Sequence, residues 1–221
     1  MITIQKLYDL EHTMARDYLR QFTYPWEALS GIRDMIRSLI RNLDSSQYIQ
    51  LSQEVWVHKT AVIAQTAVIA GPAVIGAGTE IRHCAFLRGS VLVGENCVVG
   101  NSAELKNVIL FDGVQVPHYN YVGDSILGYR AHMGAGSITS NVKSDKTSVV
   151  VHGEAEYPTG LKKMGAMLGD FVEVGCNSVL NPGTVVCPHS SIYPLSCVRG
   201  VVPANSIYKN NGMISLKKEK Q

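Results

Sequence analysis

Aliphatic residues recur at every sixth position through a long stretch of the chain that begins near residue 55. They are Val57, Ile63, Ile69, Ile75, Ile81, Leu87, Val93, Val99 and Leu105. A small or compact residue stands two positions before each one: Val55, Ala61, Ala67, Ala73, Thr79, Ala85, Val91, Cys97 and Ala103. Repeats of fixed period indicate a solenoid, in which each unit buries its apolar side only against its neighbours. The period therefore predicts a solenoid for this part of the chain.

The pattern resumes beyond Leu105 and contains one interruption. The later members are Val116, Val122, Leu127, Met133, Leu168, Val174, Leu180, Val186, Ile192 and Val198. The interruption, at about 142–164, contains Gly, Pro and charged residues, and we predict that it projects from the solenoid as a loop. The solenoid domain is therefore placed at 51–208, with a tail at 209–221.

Residues 1–50 have a helical period instead. Leu7, Leu10, Met14 and Tyr18 would share one face of a first helix. A second helix would begin at Pro25, with Glu27 in its first turn and with Leu29, Ile32, Ile36, Leu39 and Leu43 on its apolar face. The sequence thus predicts a pair of N-terminal helices that cap or flank the solenoid.

Composition excludes several classes of function. A net charge of +2 without a long basic run, apart from the last few residues, gives no case for a nucleic-acid partner. Five cysteines without a CxxC pair favour neither a disulfide framework nor a zinc cluster, and they suit a reducing cytosol. Charged residues throughout the first twenty positions predict that there is no signal peptide. The sequence also lacks an apolar run of about 18 residues, so no membrane span is predicted. We therefore expect a cytoplasmic protein.

Two cations depart from the repeat at the position that follows the aliphatic residue. Arg88 and Lys106 are eighteen residues apart, and a coil of eighteen residues would stack them about 4.8 Å from each other. A phosphate would relieve their repulsion, because it matches both a guanidinium and an ammonium. The repeat geometry equally allows two exposed cations that point apart, or a pair between Lys106 and Glu104.

A histidine, His118, lies between two interior positions in the segment VPHYNYVGD. The ordinary pKa of a histidine, near ~6.5, suits it to take a proton from an amine. A solvent-facing histidine without a chemical role fits the same position.

The segment AELKNVILFDGVQVPHYNYVGDSILGYRAHMGAGSITSN supplies a more specific signal. It resembles the acetyltransferase domain of the bifunctional N-acetylglucosamine-1-phosphate uridyltransferases, a family of hexapeptide-repeat acyltransferases. The similarity covers about 55–207 as a fold and about 85–142 as motifs. It implies a mainly β fold, the left-handed parallel β-helix with three short strands per coil, assembled as a homotrimer with sites between adjacent helices.

The resemblance also implies roles for individual residues. His118 would be the general base, and the backbone N–H of Ala135 would stabilise the oxyanion. Asn141 would contact the donor or the substrate across a subunit boundary, while Ala135 and Cys176 would bind the donor. The expected substrate-binding residues are Arg88, Glu104, Lys106, Tyr121, His132 and Lys163. Of these, His132 replaces an asparagine of the family, and Lys163 aligns only if the insertion is looped out.

The activity implied is transfer of an acetyl group from acetyl-CoA, without a metal, to glucosamine- or galactosamine-1-phosphate during synthesis of nucleotide-sugar or cell-envelope precursors. No uridyltransferase domain is expected, since 1–50 contain no Gly-rich G-x-G-T-R loop. Two alternatives stay open. One is a non-catalytic protein that binds a sugar phosphate or sugar nucleotide. The other is a metal-dependent lyase like the γ-class carbonic anhydrases, for which the required H-x-x-x-x-H pair is missing.

Overall fold

The computed structural model describes residues 2–218 and contains a parallel β-helix with three faces. The strands of the first face are Val55–His58, Ala73–Ile75, Val91–Val93, the second halves of Glu104–Leu110 and Tyr121–Leu127, then Ala166–Leu168, Thr184–Val186 and Val201–Val202. Those of the second face are Val62–Ile63, Glu80–Ile81, Val98–Asn101, Gln115–His118, His132–Met133, Glu173–Val174, Ser191–Ile192 and Ser206–Tyr208. Those of the third face are Val68–Ile69, Phe86–Leu87, the first halves of Glu104–Leu110 and Tyr121–Leu127, then Ile138–Thr139, Val179–Leu180 and Cys197–Val198. The predicted parallel β-helix is confirmed.

The register explains the period of six. Ala73 lies opposite Val55 and Val91, eighteen residues away on either side, so one coil takes three six-residue repeats. The aliphatic residues of the repeat point inward and are almost all buried. Because each coil buries its apolar side against the next coil, the core is a continuous column along the axis.

The change of phase after Leu105 marks two shorter coils. Val108 lies opposite Val91 and Ser125, seventeen residues away in each direction. In both coils the strand continues from the third face to the first face, which gives the seven-residue strands Glu104–Leu110 and Tyr121–Leu127. The corner between these faces is reduced to one left-handed residue per coil, Asn107 (φ 54°) and Asp124 (φ 49°). The loss of one residue per coil therefore produces two stacked tight corners, which hold the polar side chains of Asn107 and Asp124.

The interruption leaves the β-helix and returns to the point of departure. Residues 142–163 contain a two-stranded antiparallel hairpin, Val150–His152 with Glu156–Pro158. The N–H of Met164 then donates to the carbonyl of Asn141 at 3.0 Å, and Met167 pairs opposite Ile126. The coils before and after the excursion therefore stack directly on one another.

The N-terminal segment differs from the predicted helical pair. The first predicted helix is wrong, because the segment forms only short turns: the α-helix Ile4–Leu7, the 3-10 turn Leu10–His12 and the α-helix Arg16–Leu19. The second begins at Pro25, as predicted, but starts as the 3-10 turn Pro25–Gly31 before the α-helix Ile32–Arg41. That helix packs against the first face of the β-helix. No helix of the described residues is long and apolar enough to cross a membrane.

A buried carboxylate breaks the first predicted helix. Asp170 accepts hydrogen bonds from the N–H groups of Asp9 at 2.6 Å and Tyr129 at 2.8 Å, and its own N–H donates to the carbonyl of Leu7 at 3.0 Å. These bonds hold Tyr8 in an extended conformation. Burial raises the pKa of Asp170, whereas the two amide donors lower it. Tertiary contacts thus override a helical pattern that is local in origin.

Beyond the last coil, the strand Ile214–Leu216 pairs antiparallel with Ser206–Tyr208, and at the other end Tyr48–Ser52 pairs antiparallel with Val55–His58. Each terminal coil of the parallel β-helix is therefore covered along one edge by an antiparallel strand.

Candidate active site

The third face carries the two cations that depart from the repeat. Leu105 lies opposite Leu87, so Lys106 follows directly beside Arg88 on the neighbouring coil. Adjacent strands are separated by about 4.8 Å. The register therefore stacks the two cations as the eighteen-residue spacing predicts.

Each of these cations has a carboxylate partner. Arg88 Nη1 lies 2.7 Å from Glu104 Oε1, and Lys106 Nζ lies 3.1 Å from Asp124 Oδ1. The alternative pair between Lys106 and Glu104 is therefore wrong, because Glu104 pairs with Arg88 instead. Repulsion between the cations is consequently not an argument for a bound anion here. An anion at this place would share Arg88 and Lys106 with the two carboxylates.

Asp124, Tyr121 and Asn141 extend this cluster on the next coils. Asn141 Nδ2 donates to Asp124 Oδ2 at 2.5 Å and lies 3.2 Å from the Tyr121 hydroxyl. Burial, and then the charge of Asp124, raise the pKa of Tyr121, so its hydroxyl stays protonated at neutral pH. Gly123 leaves the space that this cluster needs, because a Cβ there would overlap the Tyr121 hydroxyl.

The corner between the second and third faces holds a second group. His118, Ala135 and Cys176 follow one another on successive coils, since the carbonyl of His118 accepts from the N–H of Gly136 at 2.9 Å and that of Ala135 from Asn177 at 2.8 Å. All three residues are at least partly exposed. Within residues 2–218, the N–H of Ala135 makes no hydrogen bond to the protein. It is therefore available to an external oxygen.

Asn120 fixes the His118 corner beside the cation cluster. Its Oδ1 accepts from the N–H of His118 at 3.0 Å, and its Nδ2 donates to the carbonyls of Gly134 at 2.8 Å and Ser137 at 3.0 Å. Asn120 is buried, so these bonds are shielded from water. The His118 corner leads directly into Tyr121, which opens the third-face strand.

The remaining predicted residues are distributed differently. Lys163 is exposed and directly precedes Met164, whose N–H bonds to the carbonyl of Asn141, so the backbone of Lys163 lies near Asn141. His132 lies on the second face instead, where its Nδ1 is 2.8 Å from Glu173 Oε2 at the edge of a cavity of about 710 Å³. Within one chain, His132 is therefore not brought together with the cations.

Sequence reasoning assigned no role to three residues that organise the site: Asp124, Asn107 and Asn120. The change of phase at Asn107 and Asp124 was the relevant signal, because it marks the corner where both side chains converge. For Asn120 the signal was its position within H-x-x-Y, between His118 and Tyr121. Among the described residues, no group of three or more His, Cys, Asp or Glu side chains is arranged to hold a metal ion.

Comparison with known proteins identifies related sequences. The family model described as "GMPPB C-terminal domain" matches residues 80–199, more than half of the chain. "Bifunctional protein GlmU" of Methanococcus maripaludis strain C5 is 32% identical over 221 residues, which cover 99% of this chain and 53% of that protein. "Bifunctional protein GlmU" of a Nostoc species is 37% identical over 151 residues, which cover 68% of this chain and 27% of that protein. The chain spans about half the length of the Methanococcus relatives.

Solved structures with a similar backbone include the UDP-N-acetylglucosamine acyltransferase of Francisella novicida. Its TM-score is 0.45 at 15% identity, with 74% of this chain and 68% of that chain covered. A hexapeptide transferase family protein of Anaplasma phagocytophilum has a TM-score of 0.41 at 18% identity, with 75% and 81% covered.

Proposed function

Since the chain belongs to the GMPPB C-terminal domain family and is a hexapeptide-repeat protein similar to the GlmU proteins, we propose that it transfers an acetyl group from acetyl-CoA to the amine of an amino-sugar 1-phosphate. One observation carries this proposal. The cations Arg88 and Lys106 share a face with Tyr121 and Asn141, and this face begins at the corner that bears His118.

The corner supplies the groups that the chemical step requires. His118 removes a proton from the sugar amine as the nitrogen attacks the thioester carbonyl carbon of acetyl-CoA. The free N–H of Ala135 donates to the oxyanion of the tetrahedral intermediate. The carbon–sulfur bond then breaks, and protonated His118 returns the proton to the departing thiolate. The products are the N-acetylated sugar phosphate and coenzyme A.

The third face supplies the phosphate site. Arg88 is exposed and Lys106 is partly exposed, so both reach solvent despite their carboxylate partners. A phosphate that approaches takes hydrogen bonds from both cations, which are stronger than bonds between neutral groups. The Tyr121 hydroxyl, kept protonated, and the exposed ammonium of Lys163 add two further donors.

Acetyl transfer is tested by following the release of free thiol from acetyl-CoA with glucosamine-1-phosphate, galactosamine-1-phosphate and unphosphorylated glucosamine. We expect turnover with one or both phosphates and little with glucosamine. If acetyl-CoA raises the melting temperature but none of the amines is acetylated, the protein is a binding protein and the proposal is rejected.

Replacing Lys106 by alanine is expected to raise the KM for the sugar phosphate by about 10- to 100-fold, because a charge-assisted hydrogen bond contributes about 1.5–3 kcal/mol. The KM for acetyl-CoA should stay the same. Lys59→Ala is a matched control, because Lys59 is exposed near the start of the β-helix, between its first and second faces. An equal effect of both substitutions, or none from Lys106→Ala, would contradict the phosphate assignment.

We further propose that the chain forms a homotrimer through the corner between the second and third faces. Exposed apolar side chains line both sides of this corner: Val62, Val68, Phe86, Tyr119, Tyr193 and Leu195. Their exposed fractions range from 40% for Phe86 to 71% for Leu195. Large contiguous apolar patches are typical of interfaces. Contact there brings the second face of one copy, with His132, towards the third face of the next.

We expect light scattering to give a mass three times that of the 24.1 kDa chain. Leu195→Glu should shift the mass towards that of the single chain, because a charge in an apolar interface loses its hydration. The exposed Leu51, which lies on the antiparallel strand Tyr48–Ser52, gives the control Leu51→Glu. A wild-type chain with the mass of a monomer would rule out the trimer.

A further inference from the structure

We propose that Asp124 is the positioning residue of the active site: it holds Lys106 and Asn141 in their binding geometry and connects them to the N-terminal segment. This inference rests on the proposed acetyl transfer for its functional consequence. Its geometric part can be tested without turnover.

Asp124 lies at the centre of the cluster and is the least exposed charged residue in it, with 4% of its surface accessible. Oδ1 accepts from Lys106 Nζ at 3.1 Å and from Asn107 Nδ2 at 2.9 Å. Oδ2 accepts from Asn141 Nδ2 at 2.5 Å. Both oxygens are therefore occupied by protein donors, and the carboxylate is not free to contact a substrate directly.

The second carboxylate of the site, Glu104, has a different environment. Its side chain is 35% exposed and its partner Arg88 is 46% exposed, compared with 5% for the Asp124 side chain and 31% for Lys106. Exposed ion pairs contribute little and exchange partners readily, whereas a buried carboxylate that loses its donors is strongly destabilised. Glu104 can release Arg88 to a phosphate, but Asp124 keeps Lys106 in place throughout.

The backbone also fixes the position of Asp124. It occupies the single-residue corner of a seventeen-residue coil at φ 49°, a conformation that Asp and Asn tolerate better than most residues. Its carbonyl accepts from the N–H of Gly165 at 2.8 Å, where the chain returns from the insertion. The aspartate thus lies where the two ends of the excursion, at Asn141 and Gly165, meet the tight corner.

Asn107 connects this corner to the N-terminal segment. Its Nδ2 donates to Asp124 Oδ1 and also to the carbonyl of Leu29 at 3.2 Å, within the 3-10 turn Pro25–Gly31. No other side-chain hydrogen bond among the described residues joins this turn to the cluster around Asp124. The N-terminal segment therefore supports the geometry of the active site as well as covering the first face.

The test is Asp124→Asn, which keeps the shape and the left-handed backbone but turns one acceptor into a donor. The new side-chain NH2 group faces either Asn141 or the pair of Lys106 and Asn107. Because these groups are donors as well, the hydrogen bond on that side is lost. The first measurement is the rate at which a limiting amine-acylating reagent labels Lys106, followed by mass spectrometry. We expect a rise of about fivefold, which corresponds to about 1 kcal/mol.

Glu104→Gln is the matched control for labelling, because it removes the other carboxylate of the site. It should leave the labelling of Lys106 unchanged. If Asp124→Asn labels Lys106 at the wild-type rate, or if Glu104→Gln accelerates labelling equally, Asp124 does not position this lysine. This outcome is independent of whether the chain transfers acetyl groups.

The second measurement is steady-state kinetics. A positioning role predicts that Asp124→Asn raises the KM for the sugar phosphate by about 10-fold or more, the loss of roughly one charge-assisted hydrogen bond, while the KM for acetyl-CoA stays constant. A merely structural role would instead change both KM values together with the melting temperature. Wild-type protein without turnover would overturn the proposed function alone, and labelling would still decide the role of Asp124.

Asn107→Gly tests the connection to the N-terminal segment, since glycine accepts the left-handed conformation without a side chain. Amide hydrogen exchange of residues 25–31 should become faster, and Lys106 labelling should rise as well. Faster exchange with unchanged labelling would show that the N-terminal segment does not support the site, and this part of the proposal would be abandoned.

Discussion

Replacing His118 by alanine is expected to lower kcat for acetyl transfer by about 10²- to 10⁴-fold, the usual contribution of a general base. The residues stacked directly on His118, Asn101 on the preceding coil and Ala135 on the following coil, have no side chain that can take over proton removal. Ala135 contributes its backbone N–H, and Cys176 lies a further coil away. The KM for the sugar phosphate should change little, because the predicted phosphate-binding cations Arg88 and Lys106 lie on the third face.

His58→Ala is the control for this experiment. His58 is partly exposed, its side chain hydrogen-bonds to Thr60, and it lies in the first coil of the β-helix. It should retain the wild-type rate and the wild-type melting temperature. A His118→Ala protein that is folded and turns over within about twofold of wild type would remove the general base from the mechanism, because such a change is far below the usual contribution.

Replacing Phe111 by alanine is expected to lower the free energy of unfolding by about 3–5 kcal/mol, the range for large-to-small changes of buried aromatic residues. Phe111 is fully buried and is the largest side chain of that kind among the described residues. Its ring lies 5.1 Å from that of Tyr8, which docks the N-terminal segment on the β-helix. The cavity left by the substitution therefore weakens both the solenoid core and the attachment of the N-terminal segment.

Denaturant unfolding followed by circular dichroism measures this loss. Leu51→Ala is the comparison, because Leu51 is 51% exposed and surface changes usually stay within about 0.5 kcal/mol. Similar losses from both substitutions would mean that the interior column around Phe111 contributes no more than an exposed edge strand.

The sequence predicts the β-helix well for a physical reason. Each inward position repeats the environment of the position one coil earlier, so the same demand for an aliphatic side chain recurs with the coil length. The register that stacks Lys106 beside Arg88 follows from this repeat alone. The corner shared by His118 and Ala135 follows from the family motif and the same stacking.

The N-terminal segment could not be predicted in this way. Its apolar residues have a helical period, but Asp170, more than 150 residues later, binds the backbone of Leu7 and Asp9 and extends the chain between them. Such long-range contacts leave no local pattern. The apolar period correctly shows which side chains are buried, but it does not determine the backbone conformation that buries them.

The two ion pairs of the site could not be predicted from the repeat pattern either. Glu104 and Asp124 carry no periodic signal, and their pairing depends on where side chains point at a shortened corner. The loss of one residue between Leu105 and Val116, and of another between Val122 and Leu127, is visible in the sequence. Because the two shortened corners bring Asn107 and Asp124 beside Lys106, these losses are the local signal that indicates their proximity.

The hydrogen bond between Met164 and Asn141 closes the excursion at its base. The entropic cost of such a closed loop grows only slowly with its length. Natural variation can therefore lengthen or shorten the exposed parts of this segment without separating its two ends, provided that its buried residues Val149 and Val151 still fill their place in the core. A relative with a longer or shorter turn at this point would keep the stacking of its coils while presenting a different surface beside the cluster around Asn141.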